Sequence, residues 1–202
     1  MSRSRRPSMI WSARLNAAVT LAGEVHKHHP RKGSRIAYIA HLFDVASVAI
    51  KHGADEDEVV AAFLHDTLED GDDPESLRRT IRRRFGAPVL RIVEACTDTT
   101  EHPKPPWPAR KQAYLDSIAS MSKSAKLVSA ADKLANLDDI IRDHANHGNR
   151  LWRRFNGGRD GTLWFYRGCA RELAKGTGDA RLAGLLRVLR NRLRVLTSIA
   201  AR

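Results

Sequence analysis

AAFLHDTLED, residues 61–70, is the stretch from which the rest of the chain is read. An apolar run ends abruptly in His65 and Asp66, and Glu69 and Asp70 follow within one turn. On a helix, His65 faces Glu69 and Asp66 faces Asp70, because positions four apart share a side. A charge set directly behind an apolar run needs a compensating partner or a function. Acidic groups at the C-terminal end of a helix are also opposed by its dipole, so the pattern calls for positive charge nearby. A divalent cation would supply it; a solvated last turn is the ordinary alternative.

Working outward, helical spacing continues almost everywhere. Leu15, Val19, Ala22 and Val25 recur at that spacing, as do Leu42, Val45, Ala46 and Ala49, and then Val59, Ala62 and Phe63. Gly53 and Asp55 mark a turn before a helix expected from about residue 57 to 69. Residues 71–74, GDDP, stop it and start the next, with Pro74 suited to a first turn. FGAP at 85–88 is another stop and restart, and HPKPPWP at 102–108 reads as loop. A helix is expected from about Ser122 to Asp143, a break at Asn156-Gly157-Gly158, and a last amphipathic helix over 179–198. That helix carries Leu182, Leu185, Leu186, Leu189, Leu193 and Leu196 on one face. The expected fold is all-α, a single helical bundle: a basic disordered arm over 1–10, the main domain over 11–178, and the last helix, 179–202, packed on that domain.

Composition narrows the class. Of 202 residues, 42% are hydrophobic and 29% charged, as in ordinary globular proteins. No stretch approaches the ~20 apolar residues that span a bilayer. Cys96 and Cys169 form no CxxC motif, so a reducing, cytoplasmic setting is expected. The net charge of +12 favours polyanionic partners: nucleic acid, anionic lipid or a highly phosphorylated small molecule.

Two further residues join the central stretch. His41 stands 24 residues before His65, and Asp132 stands 66 after Asp66, inside the apolar helix LVSAADKLANL. Either one alone is more often structural. Together, His41, His65, Asp66 and Asp132 supply two imidazoles and two carboxylates, a mixed set suited to Mn²⁺, Fe²⁺ or Zn²⁺.

The pattern H…HD…D resembles the HD phosphohydrolase superfamily. Within it, the chain is similar to the hydrolase domain of RelA/SpoT alarmone enzymes, and more so to stand-alone small alarmone hydrolases of the metazoan SpoT type. RKGSRIAYIAH at 31–41, AAFLHDTLED at 61–70, FGAPVLRIVEACTDTT at 85–100 and AKLVSAADKLANLDDI at 125–140 carry the resemblance. KPPWPARK and RFNGGRDGTLWFYR add to it.

The resemblance implies His41, His65, Asp66 and Asp132 as ligands of a metal, usually Mn²⁺, and Glu69 and Asp70 as the acidic pair that handles the attacking water. It implies Asn136 beside the substrate phosphate or sugar, Arg31 and Lys32 against the purine, and Tyr38 in a structural place. Leu42 departs from the proline that the long enzymes have after the first histidine. Lys126, Lys133 and Arg142 are further candidates to hold phosphate, and Arg159 and Tyr166 to close over the substrate; Trp164 is expected in the core.

The implied reaction is metal-dependent hydrolysis of the 3′-pyrophosphate of (p)ppGpp or (p)ppApp, giving pyrophosphate and GDP/GTP or ADP/ATP, with no synthetase activity. One alternative keeps the site and changes the substrate to NADPH or a nucleoside monophosphate. Another is a basic nucleic-acid- or membrane-surface-binding protein with a degenerate core, motivated by the charge, the SRSRR arm and the arginines of the last helix. Oligomeric state is left open.

Overall fold

The computed structural model describes residues 11–176 and 178–201. The expected arm over residues 1–10 lies outside them, except that the described chain begins right behind it. The helices are α1 (Ala13–His26), α2 (Ile39–Lys51), α3 (Glu56–Leu64), α4 (Thr67–Asp70), α5 (Pro74–Cys96), α6 (Trp107–Ser117), α7 (Lys123–His147), α8 (Gly158–Glu172) and α9 (Ala180–Ala200). Among the described residues the only β pairing is a single bridge between Pro30 and Ala37. The fold is all-α.

The helix starts follow from side chains that satisfy free backbone N–H groups. Ser12, Asp55, Asp73, Ser122 and Asp179 accept such bonds from the first turns of α1, α3, α5, α7 and α9. At Asp55 the cap is reciprocal, with Glu58 accepting from the Asp55 backbone. Glu58 is only 1% exposed. Arg181, from the start of α9, reaches it with Nη1 2.8 Å from Oε2 and also donates to the Gly53 carbonyl at 3.1 Å.

Three expectations need correction. The single helix expected over residues 57–69 is two helices, α3 and α4, parted at His65 and Asp66. Local side-chain bonds compete with the backbone there: Thr67 Oγ1 donates to the Leu64 carbonyl at 2.6 Å, and His65 Nδ1 lies 2.9 Å from the Ala62 carbonyl. The loop expected over 102–108 ends at Pro106, because Pro108 falls in the first turn of α6, where its missing N–H costs nothing. Trp164 is 40% exposed rather than in the core, on the face of α8 opposite buried Phe165 and Tyr166, with its ring edge against Trp107. The stop and restart expected at 85–88 is present as a kink in α5, where Gly86 takes φ 89°.

α7 runs through the middle, against α9, α2, α5 and α3. All six leucines of α9 that share one face are buried, so that face is covered within the chain. No helix among the described residues is long and apolar enough to cross a membrane.

Candidate metal centre

Three helices meet at one buried polar point. The first turn of α2 supplies His41, the break after α3 supplies His65 and Asp66, and the middle of α7 supplies Asp132. Both imidazoles are 2% exposed. His41 Nε2 lies 3.2 Å from Asp132 Oδ1 and 3.8 Å from Asp66 Oδ2. His65 Nε2 lies 3.0 Å from Asp66 Oδ2 and 3.6 Å from Asp132 Oδ1. One donor atom each from His41, His65 and Asp132 lies within 4.8 Å of the others.

These atoms fit a cation better than they fit one another. The carbonyl of Ala62 engages His65 Nδ1, which leaves the lone pair of a neutral ring on Nε2. That nitrogen is buried and close to two carboxylates, yet it makes no hydrogen bond to either. His41 Nδ1 is likewise buried without a partner. Burial disfavours a charged His65, but Asp66 and Asp132 outweigh it and hold its pKa well above the usual histidine range. Burial would also raise both carboxyls, yet His65 beside Asp66 and Lys133 beside Asp132 hold them below the usual carboxylate range. A divalent ion would displace any proton held among these groups on binding.

Other side chains buttress the four. Tyr38 donates its hydroxyl to Asp66 Oδ2 at 2.6 Å. Lys133 donates to Asp132 Oδ2 at 2.5 Å, and Asn136, one turn on, donates to Asp132 Oδ1. Arg31 donates to Asn136 Oδ1 at 2.7 Å and to Asp139 Oδ2 at 2.8 Å, with its guanidinium 5.3 Å from the centre of the Tyr38 ring.

Glu69 and Asp70 stand on α4 at the rim. Lys104 Nζ lies 2.8 Å from Glu69 Oε1 and 3.7 Å from Asp70 Oδ1, and Arg110 Nη1 lies 3.6 Å from Glu69 Oε1. Burial, reinforced by Asp66 and Glu69, pushes Asp70 up to about 6. An inner cavity of about 160 Å³ reaches Asp66, Glu69, Asp132, Asn136 and Tyr166. An outer one of about 330 Å³ shares part of that wall and adds Lys32, Asp139 and Arg142. A larger hollow of about 650 Å³, bounded by Arg91, Asp98 and Ser122, touches none of His41, His65, Asp66 and Asp132, whereas the smaller cavities reach Asp66 and Asp132.

The structure therefore gathers His41, His65, Asp66, Asp132, Glu69, Asp70, Arg31, Lys32, Asn136, Lys133 and Tyr166 around one region. Two candidates lie elsewhere. Lys126 shares a helix face with Lys133, as its seven-residue spacing requires, but stands about 10 Å further along the axis and donates to the Lys175 carbonyl at 2.9 Å. Arg159 is exposed at the start of α8, where it pairs with neighbouring Asp160 at 2.8 Å and lines neither cavity. Sequence reasoning missed Lys104, Arg110 and Asp139. Asp139 was findable, since it lies seven residues after Asp132 on the same helix face; Lys104 sits in a proline-dense loop that carries no such periodicity.

Comparison with known proteins places this geometry. A family model described as HD domain matches residues 18–163. The chain belongs to the HD-domain family. The matched residues include the adjacent His65 and Asp66 at the break between α3 and α4. Among curated relatives, guanosine-3′,5′-bis(diphosphate) 3′-pyrophosphohydrolase MESH1 of Xenopus tropicalis is 37% identical over 134 residues, 65% of this chain and 72% of that protein. MESH1 of Homo sapiens matches with the same identity and coverage. A solved structure reported as a metazoan ortholog of SpoT that hydrolyzes ppGpp superposes with a TM-score of 0.70 at 26% identity, over 91% of this HD chain and 98% of that one. The structure of lmo0812 from Listeria monocytogenes EGD-e superposes with a TM-score of 0.63, also at 26% identity, over 76% of this chain and 99% of that one.

Proposed function

We propose that this HD protein hydrolyses the 3′-pyrophosphate of a purine alarmone, (p)ppGpp or (p)ppApp, releasing pyrophosphate and GDP/GTP or ADP/ATP. The observation that carries the reading is the pair of buried imidazoles converging with Asp132, with Asp66 3.0 Å from His65, beside Glu69 and Asp70. The naming of the curated relatives and the 0.70 superposition support the substrate class.

In this reading His41, His65, Asp66 and Asp132 hold a divalent ion, Mn²⁺ by preference and Fe²⁺ or Zn²⁺ as substitutes. Such an ion offsets phosphate charge and lowers the pKa of a water it binds. Glu69 and Asp70 would orient the attacking water and take its proton; with Asp70 raised to about 6, this carboxyl is poised near working pH. Lys104 keeps Glu69 in place at 2.8 Å. Asn136, Arg31 and Lys32 face the substrate, and Arg31 is held ready by Asp139. Lys133 and Tyr166 close the inner wall. The two buried, unpaired cysteines suit a reducing cytoplasm.

The test is a panel. Chelated protein is given back Mn²⁺ and offered ppGpp, ppApp, NADPH and GMP, with pyrophosphate and orthophosphate followed separately. Pyrophosphate from either alarmone is the expected result. Orthophosphate from NADPH or GMP alone would replace the substrate assignment. No release from any of the four, with salt-sensitive nucleic-acid binding that survives His65→Ala, would replace catalysis altogether.

A further inference from the structure

At the rim of the HD centre stands a second cluster of ligand types that the reaction above uses only in part. α1 ends on His26, which is 3% exposed. Its ring is stacked on Tyr38, with centroids 4.6 Å apart and planes at 15°. His29 follows on a short tether fixed at both ends: its N–H donates to the His26 carbonyl at 3.0 Å, and its carbonyl accepts from the Tyr38 N–H at 2.9 Å. The two rings turn their Nδ1 atoms toward each other at 3.2 Å. One donor atom each from His26, His29 and Asp70 lies within 4.8 Å of the others.

We propose that His26, His29 and Asp70 form a second site for a divalent transition-metal ion, sharing no ligand with the His41–His65–Asp66–Asp132 cluster. Two imidazole nitrogens bound to one ion at about 2.0–2.1 Å, and about 90–110° apart, stand about 2.8–3.4 Å from each other. The observed 3.2 Å falls in that range before any ion binds. Two lone pairs at this distance repel unless a proton or a cation stands between them. The ionisable groups near Asp70 are Lys104, which sits closer to Glu69, the His29 imidazole, and the carboxylates of Asp66 and Glu69. Asp70 is thus short of positive charge, and an ion would supply it. Two imidazoles with one carboxylate favour Zn²⁺, Co²⁺ or Ni²⁺ over Mg²⁺ or Ca²⁺.

Such an ion would draw on Asp70, the carboxyl assigned above to the attacking water. That consequence rests on the proposed function; the existence of the site does not.

The probe is Co²⁺. Chelated full chain is titrated with it and followed by calorimetry and visible absorption, with helical content checked by circular dichroism. Wild type is expected to take up two equivalents. His29→Gln, at a half-buried position, should take up one; His29→Asp, which restores a ligand, should recover the second. His65→Ala should also take up one, from the other cluster. A single equivalent in wild type, lost in His65→Ala and kept in His29→Gln, would leave the HD centre standing and overturn this proposal. Two equivalents retained in folded His29→Gln would overturn it as well. No uptake by folded wild type would overturn both sites together.

Discussion

α7 is buried on two sides built from opposite materials. Toward α9 it meets a seam of leucines, Leu182 through Leu196, all inaccessible to solvent or nearly so. Toward α2 and α3 it presents Asp132, with Asn136 and Asp139 on the following turns. Adjacent residues part company: Asp138 pairs with Arg192 of α9 at 2.7 Å, whereas Asp139 holds Arg31 at the site. The leucine seam stabilises through the area it removes from water, and similar shapes can replace one another there. The polar side depends on charges that answer each other, and removing one strands the rest. One face therefore holds the helix in place, and the other uses that placement.

The largest effect should come from the polar face. His65→Ala removes a proposed ligand of an ion worth several kcal/mol to the transition state, and each ~1.4 kcal/mol is tenfold in rate. Pyrophosphate release should fall by about a thousandfold or more, with helical content by circular dichroism intact. Near-normal turnover in the folded variant would break the division between the two faces.

Next comes the apolar face. Leu189→Ala should cost ~2–5 kcal/mol in urea denaturation, while kcat of the folded protein stays within about twofold of wild type. A large fall in kcat at full folding would mean that the seam tunes the site directly.

A smaller effect of opposite sign is expected at Asp70. Its folded pKa of about 6 exceeds the unfolded value of about 3.9, so the folded state holds the proton more tightly. Metal-free protein should thus lose stability as pH rises from about 4 to about 6. Asp70→Asn should flatten that slope and, allowing for the partial exposure of the group, gain ~1–2 kcal/mol at pH 7, while losing hydrolysis. Thermal melts in chelator across this range test it; an unchanged slope in the variant refutes the assignment.

The smallest effect separates two arginines. Arg159→Ala should leave KM within about twofold, because Arg159 pairs with Asp160 and reaches the Ala200 carbonyl, away from both cavities. Arg31→Ala should raise KM by more. Equal shifts would bring Arg159 back as a substrate contact.

Much of this was legible in the sequence because helical periodicity is local. The leucines of α9, the apolar runs of α2 and α3, and the stops at Gly71 and Gly86 are all properties of neighbours in the chain. The His-Asp set was legible through its resemblance to a family rather than through spacing, since nothing in a 66-residue separation fixes a distance in space. The break at His65 was hidden because it depends on how Thr67 and His65 bond to carbonyls of the preceding turn. Lys104 was hidden because a loop has no period, and Lys126 misled because a shared face does not mean a shared depth. Trp164 misled for a plainer reason: size suggests burial, but its neighbours Phe165 and Tyr166 occupy the inward direction.

The link between Arg181 and Glu58 bears on where the molecule can be cut. Glu58 belongs to the entrance of the helix that ends at His65, and its only guanidinium partner among the described residues arrives from the last helix at 2.8 Å. A protease nick ahead of α9, followed by loss of the fragment, would leave the Glu58 carboxylate with the Asp55 N–H but no cation; removing one partner of a buried ion pair costs ~3–5 kcal/mol. The tail segment is then a clasp rather than an appendage, and we propose that residues 11–178 and 179–202 melt as one body.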